Sequence, residues 1–318
     1  MNISAPVAPP QWLSAVSLAT TPLLQEPLSK HTSYGIGGPA EVFAKPTTQA
    51  ELAQLLRAAT GAGVPIQFLG SGSNCLVSDT GVKGLMISLA GAFKQLDIKG
   101  SKVVAQSGVM LGHMVKLCLK GGLTGMESLV GVPGTVGGAL IMNAGAFGGE
   151  ISMYLERAAV LTLKGEAKEY GRDELSFSYR ESSFAGDEII IEATFNFPEG
   201  DTDESATRKA EASARRKASQ PLTFRSAGSV FKNPSSGMAA GMLIDQAGLK
   251  GTRRGGAEIS SKHANFVINH GSASSDDVAH LIKLAAKTVK EQHGVQLELE
   301  IRTLGFEPGF WEEAGLGK

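Results

Sequence analysis

Residues 65–77 read Pro-Ile-Gln-Phe-Leu-Gly-Ser-Gly-Ser-Asn-Cys-Leu-Val, and this stretch decides the fold class. A strand pattern over 65–69 leads directly into the polar turn 70–74. A dinucleotide-binding fingerprint would require a third glycine at the position of Cys75, followed by a helix. Residues 75–89 indicate strand and turn instead, so a Rossmann domain is excluded here. The turn suits a phosphate cradle, although it equally suits a plain tight turn.

A strand and a helix precede this stretch. Residues 41–45 alternate between apolar and polar side chains, as a strand does. Thr48 and Glu51 have the spacing of a capping box, and leucines at helical spacing follow until Gly61. The order of strand, helix, strand and loop predicts a small α/β unit.

The pattern in the middle of the chain is typical of an α+β protein, because strands and helices do not alternate regularly. A helix is predicted at roughly 110–120, and strands at 160–163 and 188–197. Because no helix regularly separates the strands, this part does not predict a doubly wound parallel sheet.

The two ends of the chain differ in pattern. Residues 1–25 are rich in Pro, Ala and Ser without periodicity, which predicts an extension that is partly disordered or draped over the surface. A solvated helix is predicted over 203–219, and an amphipathic helix from Asp276 to His293. Residues 297–302 alternate as a half-buried strand does.

Composition and charge exclude several classes of function. The net charge is -1, so no basic surface favours nucleic acid. The two cysteines lie outside any C-x-x-C or metal-ligand spacing, so we expect a reducing compartment and no disulfide. Neither a secretory signal nor an 18-residue apolar run is visible, which predicts a soluble, cytoplasmic protein.

Glycine is the one compositional deviation, with 40 of 318 residues. One glycine cluster, over 131–146, is rich in small residues and suits a ligand that lies flat against the backbone. Thr135 and Asn143 are its candidate hydrogen-bonding side chains. Close packing of a glycine turn between core elements explains the same pattern, so both interpretations stay open.

Three polar motifs carry side chains that suit catalysis. They lie at 179–184, 228–234 and 297–302. Singly, each has an ordinary explanation: Arg180 suits a surface ion pair, Ser229 a turn, and Glu300 a cross-strand pair. His263 also suggests catalysis, but no paired acid, nucleophile or metal-binding pattern accompanies it, so we interpret it as structural or substrate-side and expect no metal.

Together and in this order, the motifs resemble the UDP-N-acetylenolpyruvoylglucosamine reductase family. The resemblance covers roughly residues 28–305, and several motifs in one order are far more specific than any one of them. The segments that carry it are 36–40 (Ile-Gly-Gly-Pro-Ala), 70–74, 76–79, 131–146, 179–182, 227–234, 262–266 and 298–302.

The resemblance implies an α+β fold. Its first part is a two-lobed FAD-binding domain of the PCMH/vanillyl-alcohol-oxidase type, and a C-terminal α+β substrate-binding domain follows. We therefore expect an N-terminal extension over 1–25, an FAD-binding domain over 26–200 with lobes 26–92 and 93–200, and a substrate-binding domain over 201–318.

The resemblance also implies which residues bind and react. Ser229 matches the proton donor, Arg180 the arginine after the Tyr, and Glu300, rather than Glu298, the catalytic glutamate. Expected to bind FAD are Gly70, Ser71, Gly72, Ser73, Asn74, Gly131, Pro133, Gly134, Thr135, Gly137, Gly138, Asn143 and Ala146. Expected to hold the nucleotide-sugar are Tyr179, Lys217, Lys232 and Asn233.

The implied activity is NADPH-dependent, FAD-mediated reduction of UDP-N-acetylglucosamine-enolpyruvate to UDP-N-acetylmuramate, a step in peptidoglycan precursor synthesis. FAD is expected to bind non-covalently, and NADPH to donate the hydride. The expected partner is the nucleotide-sugar, with no nucleic acid or membrane. The sequence itself does not determine the oligomeric state, and a monomer is expected.

Two features separate this chain from parts of the family. Relatives with a substrate-lobe insertion carry a Tyr there, whereas here Ser229 follows Arg180 by 49 positions and residues 198–219 contain no Tyr. The chain therefore resembles the short form. Gly35 stands where relatives often have a basic residue before Ile-Gly-Gly, which leaves one FAD contact open.

Two alternatives remain at this point. The first is another flavin oxidase or dehydrogenase of the same fold, many of which attach the flavin through His or Cys. His113 and Cys118 lie outside any recognisable attachment motif. The second is a non-catalytic nucleotide-binding relative. The presence of Arg180, Ser229 and Glu300 together counts against it, because an idle site has no need for all three.

Overall fold

The computed structural model describes residues 8–146, 148–235 and 237–316. Over these residues the protein is a mixture of helices and strands, and none of its helices is long and apolar enough to cross a membrane. The α-helices are α1 Gln49–Gly61, α2 Leu111–Lys120, α3 Val136–Ile141, α4 Thr202–Ser219, α5 Ala240–Gln246 and α6 Ser275–His293. The strands are β1 Leu23–Pro27, β2 Pro39–Ala44, β3 Ile66–Leu69, β4 Cys75–Val77, β5 Val82–Ser88, β6 Leu96–Lys99, β7 Lys102–Gln106, β8 Gly145–Ala146, β9 Gly149–Glu150, β10 Leu155–Thr162, β11 Ala167–Gly171, β12 Phe177–Ser178, β13 Glu181–Ser182, β14 Glu188–Asn196, β15 Arg253–Arg254, β16 Ala257–Ile259, β17 Val267–Asn269 and β18 Arg302–Leu304.

These elements form two compact units. Within the described residues, the first unit comprises the chain up to Glu26, Ala40–Ser71 and Lys83–Ser213, and the second comprises Pro27–Pro39, Gly72–Val82 and the chain from Ala214 onward. Two short segments from the N-terminal half therefore belong to the second unit, which no sequence pattern indicated. The expected FAD-binding domain over 26–200 and substrate-binding domain over 201–318 are defined by what they bind, so these ranges stay a prediction.

The first unit contains a four-stranded sheet with the strand order β1-β2-β5-β3. Strands β3 and β5 pair in parallel, with Ile66 opposite Leu85. The apolar face of α1 packs against this sheet through Leu52, Leu55 and Leu56. This confirms the predicted strand–helix–strand unit, because the leucine spacing places all three side chains on one helix face.

The start of α1 departs from the predicted capping box. The Thr48 hydroxyl accepts a hydrogen bond from the Glu51 N–H at 3.2 Å, as predicted. The Glu51 carboxylate, however, accepts from the N–H groups of Thr47 at 2.6 Å and Ala19 at 2.7 Å. Only half of the capping box forms, because the carboxylate holds the N-terminal segment instead.

The expected extension over residues 1–25 is more ordered than predicted where the structure describes it. Leu13 is buried in the first unit, and Leu23–Pro27 is the edge strand β1. Strand β1 is a regular element that the sequence interpretation did not identify. A five-residue edge strand that ends in proline is too short to show periodicity. Residues 1–7 of the predicted extension lie outside the described residues.

A five-stranded antiparallel sheet with the order β11-β10-β14-β7-β6 forms the rest of the first unit's framework. The strands predicted at 160–163 and 188–197 correspond to β10 and β14, which pair with Val160 opposite Ile190. The predicted helix at 110–120 corresponds to α2, which buries Leu111, Met114, Val115 and Cys118.

The second unit is built around α6. The Ser274 hydroxyl caps the helix by accepting from the Asp277 N–H at 3.0 Å, and Gly294 ends it at φ +68°. The apolar stripe of α6 packs with α5 and with the three-stranded antiparallel sheet β15-β16-β17. A parallel pair of strands, β4 and β18, completes the unit, with Leu76 opposite Thr303.

The strand predicted over 297–302 forms only in part. Regular pairing begins at Arg302, and before it lies an isolated bridge between Leu299 and Phe231. Leu297 and Ile301 are buried, so the alternating pattern reports their burial correctly. The pattern could not show that this backbone pairs with a short irregular segment rather than with a regular strand.

Candidate active site

The first half of the turn 70–74 belongs to the first unit and lies beside the N-terminus of α3. A Cβ atom at Gly70 would lie 3.0 Å from Thr135 Oγ1. Thr135 Oγ1 is itself the cap of α3, since it accepts from the Gly138 N–H at 3.3 Å. Glycine at position 70 therefore avoids crowding this cap. Ser71, the last residue of this half, is half-buried.

The second half of the turn belongs to the second unit. Gly72 has φ +67°, and a Cβ atom there would overlap the carbonyl oxygen of His31. The carbonyl of Gly72 accepts from the Ser33 N–H at 2.9 Å. Only glycine suits both the backbone angle and the close approach. The next residue, Ser73, is half-buried.

The glycine-rich segment 131–146 contains glycines of two kinds. A Cβ atom at Gly137 would lie 2.8 Å from Ser107 Cβ, so close packing explains this glycine. Among the residues that the structure describes, a Cβ atom at Gly138 would have one neighbour, Thr135 Oγ1, at the ordinary contact distance of 3.5 Å, so close packing does not explain this glycine. The other candidates in this segment are Gly131 and Pro133, both exposed, Gly134, at φ +140°, and Ala146, which pairs with Gly149.

Asn143 has the features of a ligand-binding side chain. It is fully buried at φ +40°, an uncommon angle for a residue other than glycine. Its Nδ2 donates to Glu150 Oε2 at 2.7 Å and to the Ser178 carbonyl at 3.0 Å. Its Oδ1 has no hydrogen-bond partner in the described parts of the chain. A buried acceptor without a donor is costly, and a flavin ring N–H is a suitable donor. The residues present therefore fit FAD.

Arg180 is held in a left-handed backbone conformation at φ +60°. Its Nη2 donates to the Gly145 carbonyl at 3.1 Å, and its guanidinium lies 4.9 Å from the ring centroid of Tyr179. The Tyr179 side chain is 43% exposed. An arginine guanidinium can bind a carboxylate through two parallel hydrogen bonds, which is the chemistry expected at this position.

Ser229 and Glu300 lie on neighbouring backbone segments of the second unit. The Glu300 N–H donates to the carbonyl of Val230, the residue after Ser229, at 2.8 Å. Asn74 anchors the same place, since its Nδ2 donates to the Glu300 carbonyl at 3.1 Å and its own carbonyl accepts from the Arg302 N–H at 2.9 Å. The end of the 70–74 turn, the glutamate and the serine segment are thus joined by backbone hydrogen bonds.

Asn265 holds the serine segment in place, and the sequence interpretation did not assign it this role. Its Oδ1 accepts from the Phe231 N–H at 2.9 Å, and its Nδ2 donates to the Phe231 carbonyl at 2.8 Å. Its backbone carbonyl accepts from the Val230 N–H at 2.8 Å. The one available signal was that Asn265 is part of the motif 262–266.

The expected nucleotide-sugar residues of the second unit differ in setting. Lys232 is largely buried, and its Nζ lies 3.8 Å from Oε2 of the exposed Glu298. Asn233 Oδ1 accepts from the first N–H of α5 at 3.1 Å. Lys217 is exposed, and its carbonyl accepts from Lys262 Nζ at 2.7 Å. Because the Glu298 side chain is exposed, its ion pair with Lys232 is solvated and weak, which suits a surface role for Glu298.

His263 and the cysteines have structural surroundings. Burial lowers the pKa of His263, its Nδ1 accepts from the Asn265 N–H at 3.3 Å, and its ring lies 4.9 Å from that of Phe266. Burial raises the pKa of Cys75 and of Cys118 to about 12. Where the structure describes the chain, no group of three His, Cys, Asp or Glu side chains could hold a metal ion.

Comparison with known proteins gives a consistent result. Residues 220–304 match the family model described as UDP-N-acetylenolpyruvoylglucosamine reductase, C-terminal domain, and residues 40–171 match that of an FAD binding domain. UDP-N-acetylenolpyruvoylglucosamine reductase 2 of Bacillus cereus is 41% identical, with 88% of this chain and 92% of the relative covered. The corresponding reductase of Lactobacillus delbrueckii is 44% identical, with 89% and 96% covered.

A solved structure agrees with these relatives. The crystal structure of UDP-N-acetylenolpyruvylglucosamine reductase (MurB) from Thermus caldophilus superposes with a TM-score of 0.77 at 38% identity, covering 90% of this chain and 98% of that chain. The predicted α+β fold, an FAD-binding domain followed by a second domain, is confirmed.

Proposed function

Because this chain belongs to the UDP-N-acetylenolpyruvoylglucosamine reductase family, we propose that it reduces UDP-N-acetylglucosamine-enolpyruvate to UDP-N-acetylmuramate through Arg180, Ser229 and Glu300. FAD is the cofactor, NADPH is the hydride donor, and the product serves peptidoglycan synthesis. The family, the reaction and the cofactor agree with the predictions from the sequence. The roles of individual residues are the part that needs direct testing.

One observation carries the assignment of the acid groups. The hydrogen bond from the Glu300 N–H to the Val230 carbonyl, at 2.8 Å, joins the segment of the glutamate to that of Ser229. Asn265 and Asn74 fix the two segments by further hydrogen bonds. Two groups that must act on adjacent atoms of one substrate require this kind of rigid backbone support.

Arg180 stabilises the charge that the reaction develops. Bound FAD would supply the hydride chemistry, by which the vinyl carbon β to the substrate carboxylate gains a hydride that originates from NADPH. The gained electron pair moves towards the carboxylate as an enolate. The Arg180 guanidinium binds this carboxylate with two parallel hydrogen bonds, and its bond to the Gly145 carbonyl keeps it oriented.

Glu300 and Ser229 complete the addition. Glu300, carrying its proton, donates a hydrogen bond to the enolic oxygen. Ser229 transfers its hydroxyl proton to the α carbon, which yields the saturated lactyl ether. Lys232, largely buried three residues after Ser229, supports the serine alkoxide until it regains a proton from solvent.

The other candidate residues bind the cofactor or the nucleotide-sugar, and Lys232 does so in addition to supporting the serine alkoxide. We assign the FAD pyrophosphate to the turn 70–74 and the flavin ring to the segment 131–146, where the unsatisfied Oδ1 of Asn143 supports the assignment. Tyr179, Lys217, Lys232 and Asn233 hold the nucleotide-sugar in this proposal. Measured affinities of single variants for FAD and for the nucleotide-sugar separate the two groups.

We further propose that the enzyme is a cytoplasmic monomer. Both cysteines are buried free thiols, as a reducing compartment favours. The monomeric state rests on the resemblance alone. Light scattering of the purified protein tests it, with 33.1 kDa expected for a monomer and twice that mass contradicting it.

The first experiment is an anaerobic visible spectrum of the purified protein during sequential additions. Flavin bands should be present, bleach with NADPH, and return when the enolpyruvyl nucleotide-sugar is added. This series of additions tests the cofactor, the hydride donor and the acceptor in one sample. Boiling and acid precipitation should release the flavin intact, because the pKa of about 12 for the Cys118 thiol disfavours the thiolate that a covalent bond requires.

Two outcomes would contradict the proposal. Bands that bleach with NADPH but return only with oxygen would indicate an oxidase of the same fold. A colourless protein that also fails to take up added FAD would indicate a non-catalytic relative. A single-turnover measurement with Arg180→Ala serves as the control, because this variant should still be reduced by NADPH.

A further inference from the structure

Arg225 occupies the space beside Gly35. A Cβ atom at Gly35 would lie 3.1 Å from both Cδ and Cζ of Arg225, and it would overlap Nη1. Gly35 has φ +66°, which glycine adopts without steric cost. A side chain at position 35 would therefore point into the volume that the Arg225 guanidinium fills.

One buried asparagine holds this arrangement. The backbone N–H of Asn269 donates to the Arg225 carbonyl at 2.9 Å, and its Nδ2 donates to the carbonyl of Tyr34, the residue before Gly35, also at 2.9 Å. The Asn269 Oδ1 accepts from the Gly271 N–H at 2.7 Å. Asn269 thus fixes the backbone of Arg225 close to that of Tyr34, and the Arg225 side chain extends from there to Gly35.

The turn that ends at Gly35 contacts the Gly72 turn. The Gly35 N–H donates to the Thr32 carbonyl at 3.0 Å, so the two ends of this turn lie within about 7 Å of each other. Ser33 donates to the Gly72 carbonyl, and a Cβ atom at Gly72 would lie 2.8 Å from Thr32 Cα. The guanidinium therefore lies at one end of a turn whose other end touches Gly72.

Arg225 also has the charge that an anion site requires. Within residues 8–146, 148–235 and 237–316 its guanidinium forms no ion pair, whereas Arg253 of the same unit pairs with Glu258 at 2.6 Å. The Arg225 side chain is exposed. A guanidinium beside glycine-rich turns suits a phosphate, which it can bind through two parallel hydrogen bonds.

We propose that Arg225 binds the pyrophosphate of FAD and so replaces the basic residue that position 35 lacks. The proposal rests on the assignment of the FAD pyrophosphate to the turn 70–74. The positive charge at this place comes from Arg225, and Gly35 leaves room for it. The pyrophosphate of the nucleotide-sugar has the same chemistry, and the experiment separates the two.

The test measures binding of flavins to the apoprotein by fluorescence at low salt. Arg225→Ala should raise the Kd for FAD about 10- to 100-fold, since a charge-assisted contact to phosphate is lost. The Kd for riboflavin, which has no phosphate, should stay within about twofold. Arg225→Lys should recover part of the loss, because it keeps the charge but not the two parallel hydrogen bonds.

The matched control moves the positive charge from position 225 to position 35. In the double variant Gly35→Lys, Arg225→Ala, the lysine extends into the vacated volume and should restore part of the FAD affinity. Thermal unfolding of each apoprotein shows whether the variant is folded, which Arg225→Ala should be because Asn269 binds only the Arg225 backbone.

Three results would overturn the inference. An unchanged Kd for FAD in Arg225→Ala would show that Arg225 does not contact the pyrophosphate of FAD. An equal loss for FAD and riboflavin would indicate a general disturbance of the flavin site. An unchanged Kd for FAD with weaker binding of the nucleotide-sugar, titrated into the FAD-bound variant, would assign Arg225 to the substrate. Failure of the wild-type apoprotein to bind FAD would instead contradict the proposed function itself.

Discussion

At the residue scale, backbone strain coincides with the candidate site. Three non-glycine residues of the described chain have positive φ angles: Gln25, Asn143 and Arg180. Two of these three were selected from sequence motifs as ligand-binding or catalytic residues. A left-handed non-glycine residue costs roughly 1–2 kcal/mol, and such strain persists where function requires the position.

Arg180→Gly separates the strain at this position from its catalytic role. Glycine removes the backbone penalty, but the variant loses the hydrogen bond to the Gly145 carbonyl and its unfolded chain gains entropy. These effects oppose each other, so the free energy of unfolding should change by less than about 1 kcal/mol. Substrate reduction should slow by about 100- to 1,000-fold, since the guanidinium is lost. Urea unfolding and single-turnover kinetics measure the two effects. A loss of stability well above about 1 kcal/mol would show that Arg180 is needed structurally.

Ser229→Ala should separate the two halves of the reaction. Reduction of the flavin by NADPH should keep its rate, because the hydroxyl takes no part in it. Reoxidation by the enolpyruvyl nucleotide-sugar should slow by about 100-fold or more, as expected when a general acid is lost. Stopped-flow absorbance records both halves. If reoxidation keeps its wild-type rate, Ser229 is not the acid.

The two neighbouring glutamates form a matched pair of variants. Glu300→Gln should reduce turnover by about 100- to 1,000-fold, because an amide N–H is a far weaker acid and hydrogen-bond donor than a carboxyl O–H. Glu298→Gln should be close to wild type, because the Glu298 carboxylate is 70% exposed and 3.8 Å from Lys232 Nζ. Steady-state assays compare them, and an inactive Glu298→Gln beside an active Glu300→Gln would reverse the assignment.

At the element scale, the segment 225–231 depends on two asparagines rather than on a regular sheet. Asn269 holds the backbone of Arg225 at its start, and Asn265 holds both backbone groups of Phe231 at its end. An irregular segment buried in this way needs side-chain partners, because its peptide groups cannot all pair within a sheet. Its geometry is therefore set by side chains distant in sequence.

Asn265→Ala should destabilise the protein by about 2–4 kcal/mol, because it leaves both backbone groups of Phe231 without their partner. The exposed Asn196 is the control, and Asn196→Ala should change stability by less than about 0.5 kcal/mol. Urea unfolding monitored by circular dichroism gives both values. Equal effects of the two substitutions would mean that Asn265 is not a clamp.

At the scale of the whole molecule, a buried carboxylate links stability to pH. Burial opposes the ionisation of Glu258, but His270 at 3.0 Å and Arg253 at 2.6 Å hold its pKa below the ordinary value. The folded state therefore binds the Glu258 proton more weakly than the unfolded state does. The resulting stability is complete above the unfolded pKa of about 4.3 and disappears as pH falls through the folded pKa.

Glu258→Gln should therefore lower the stability at pH 7 by roughly 1–3 kcal/mol, the range for hydrogen bonds to a charged group. Its loss of stability between about pH 5 and pH 3 should be smaller than that of the wild type, because this group no longer titrates. Urea unfolding across this pH range measures both. The exposed Glu211 on α4 is the control, and Glu211→Gln should change the stability at pH 7 by less than about 0.5 kcal/mol.

Local periodicity determined most of what the sequence revealed about this protein. The apolar stripe of α6, the leucine face of α1 and the strands β10 and β14 were predictable, because each depends on residues adjacent in the chain. The order of the glycine-rich and polar motifs likewise indicated the family. Each element and each motif depends on a few neighbouring residues, and the order of the motifs is read along the chain, so a sequence displays both directly.

Only the tertiary structure decided which distant residues meet. Residues 27–39 and 72–82 join the C-terminal unit, Asn74 binds the Glu300 carbonyl, and Arg225 fills the space beside Gly35. No local pattern encodes such pairs, because each depends on how well-separated segments pack and satisfy their buried polar groups. The sequence thus determined the elements and the family, and packing decided which side chains support each candidate residue.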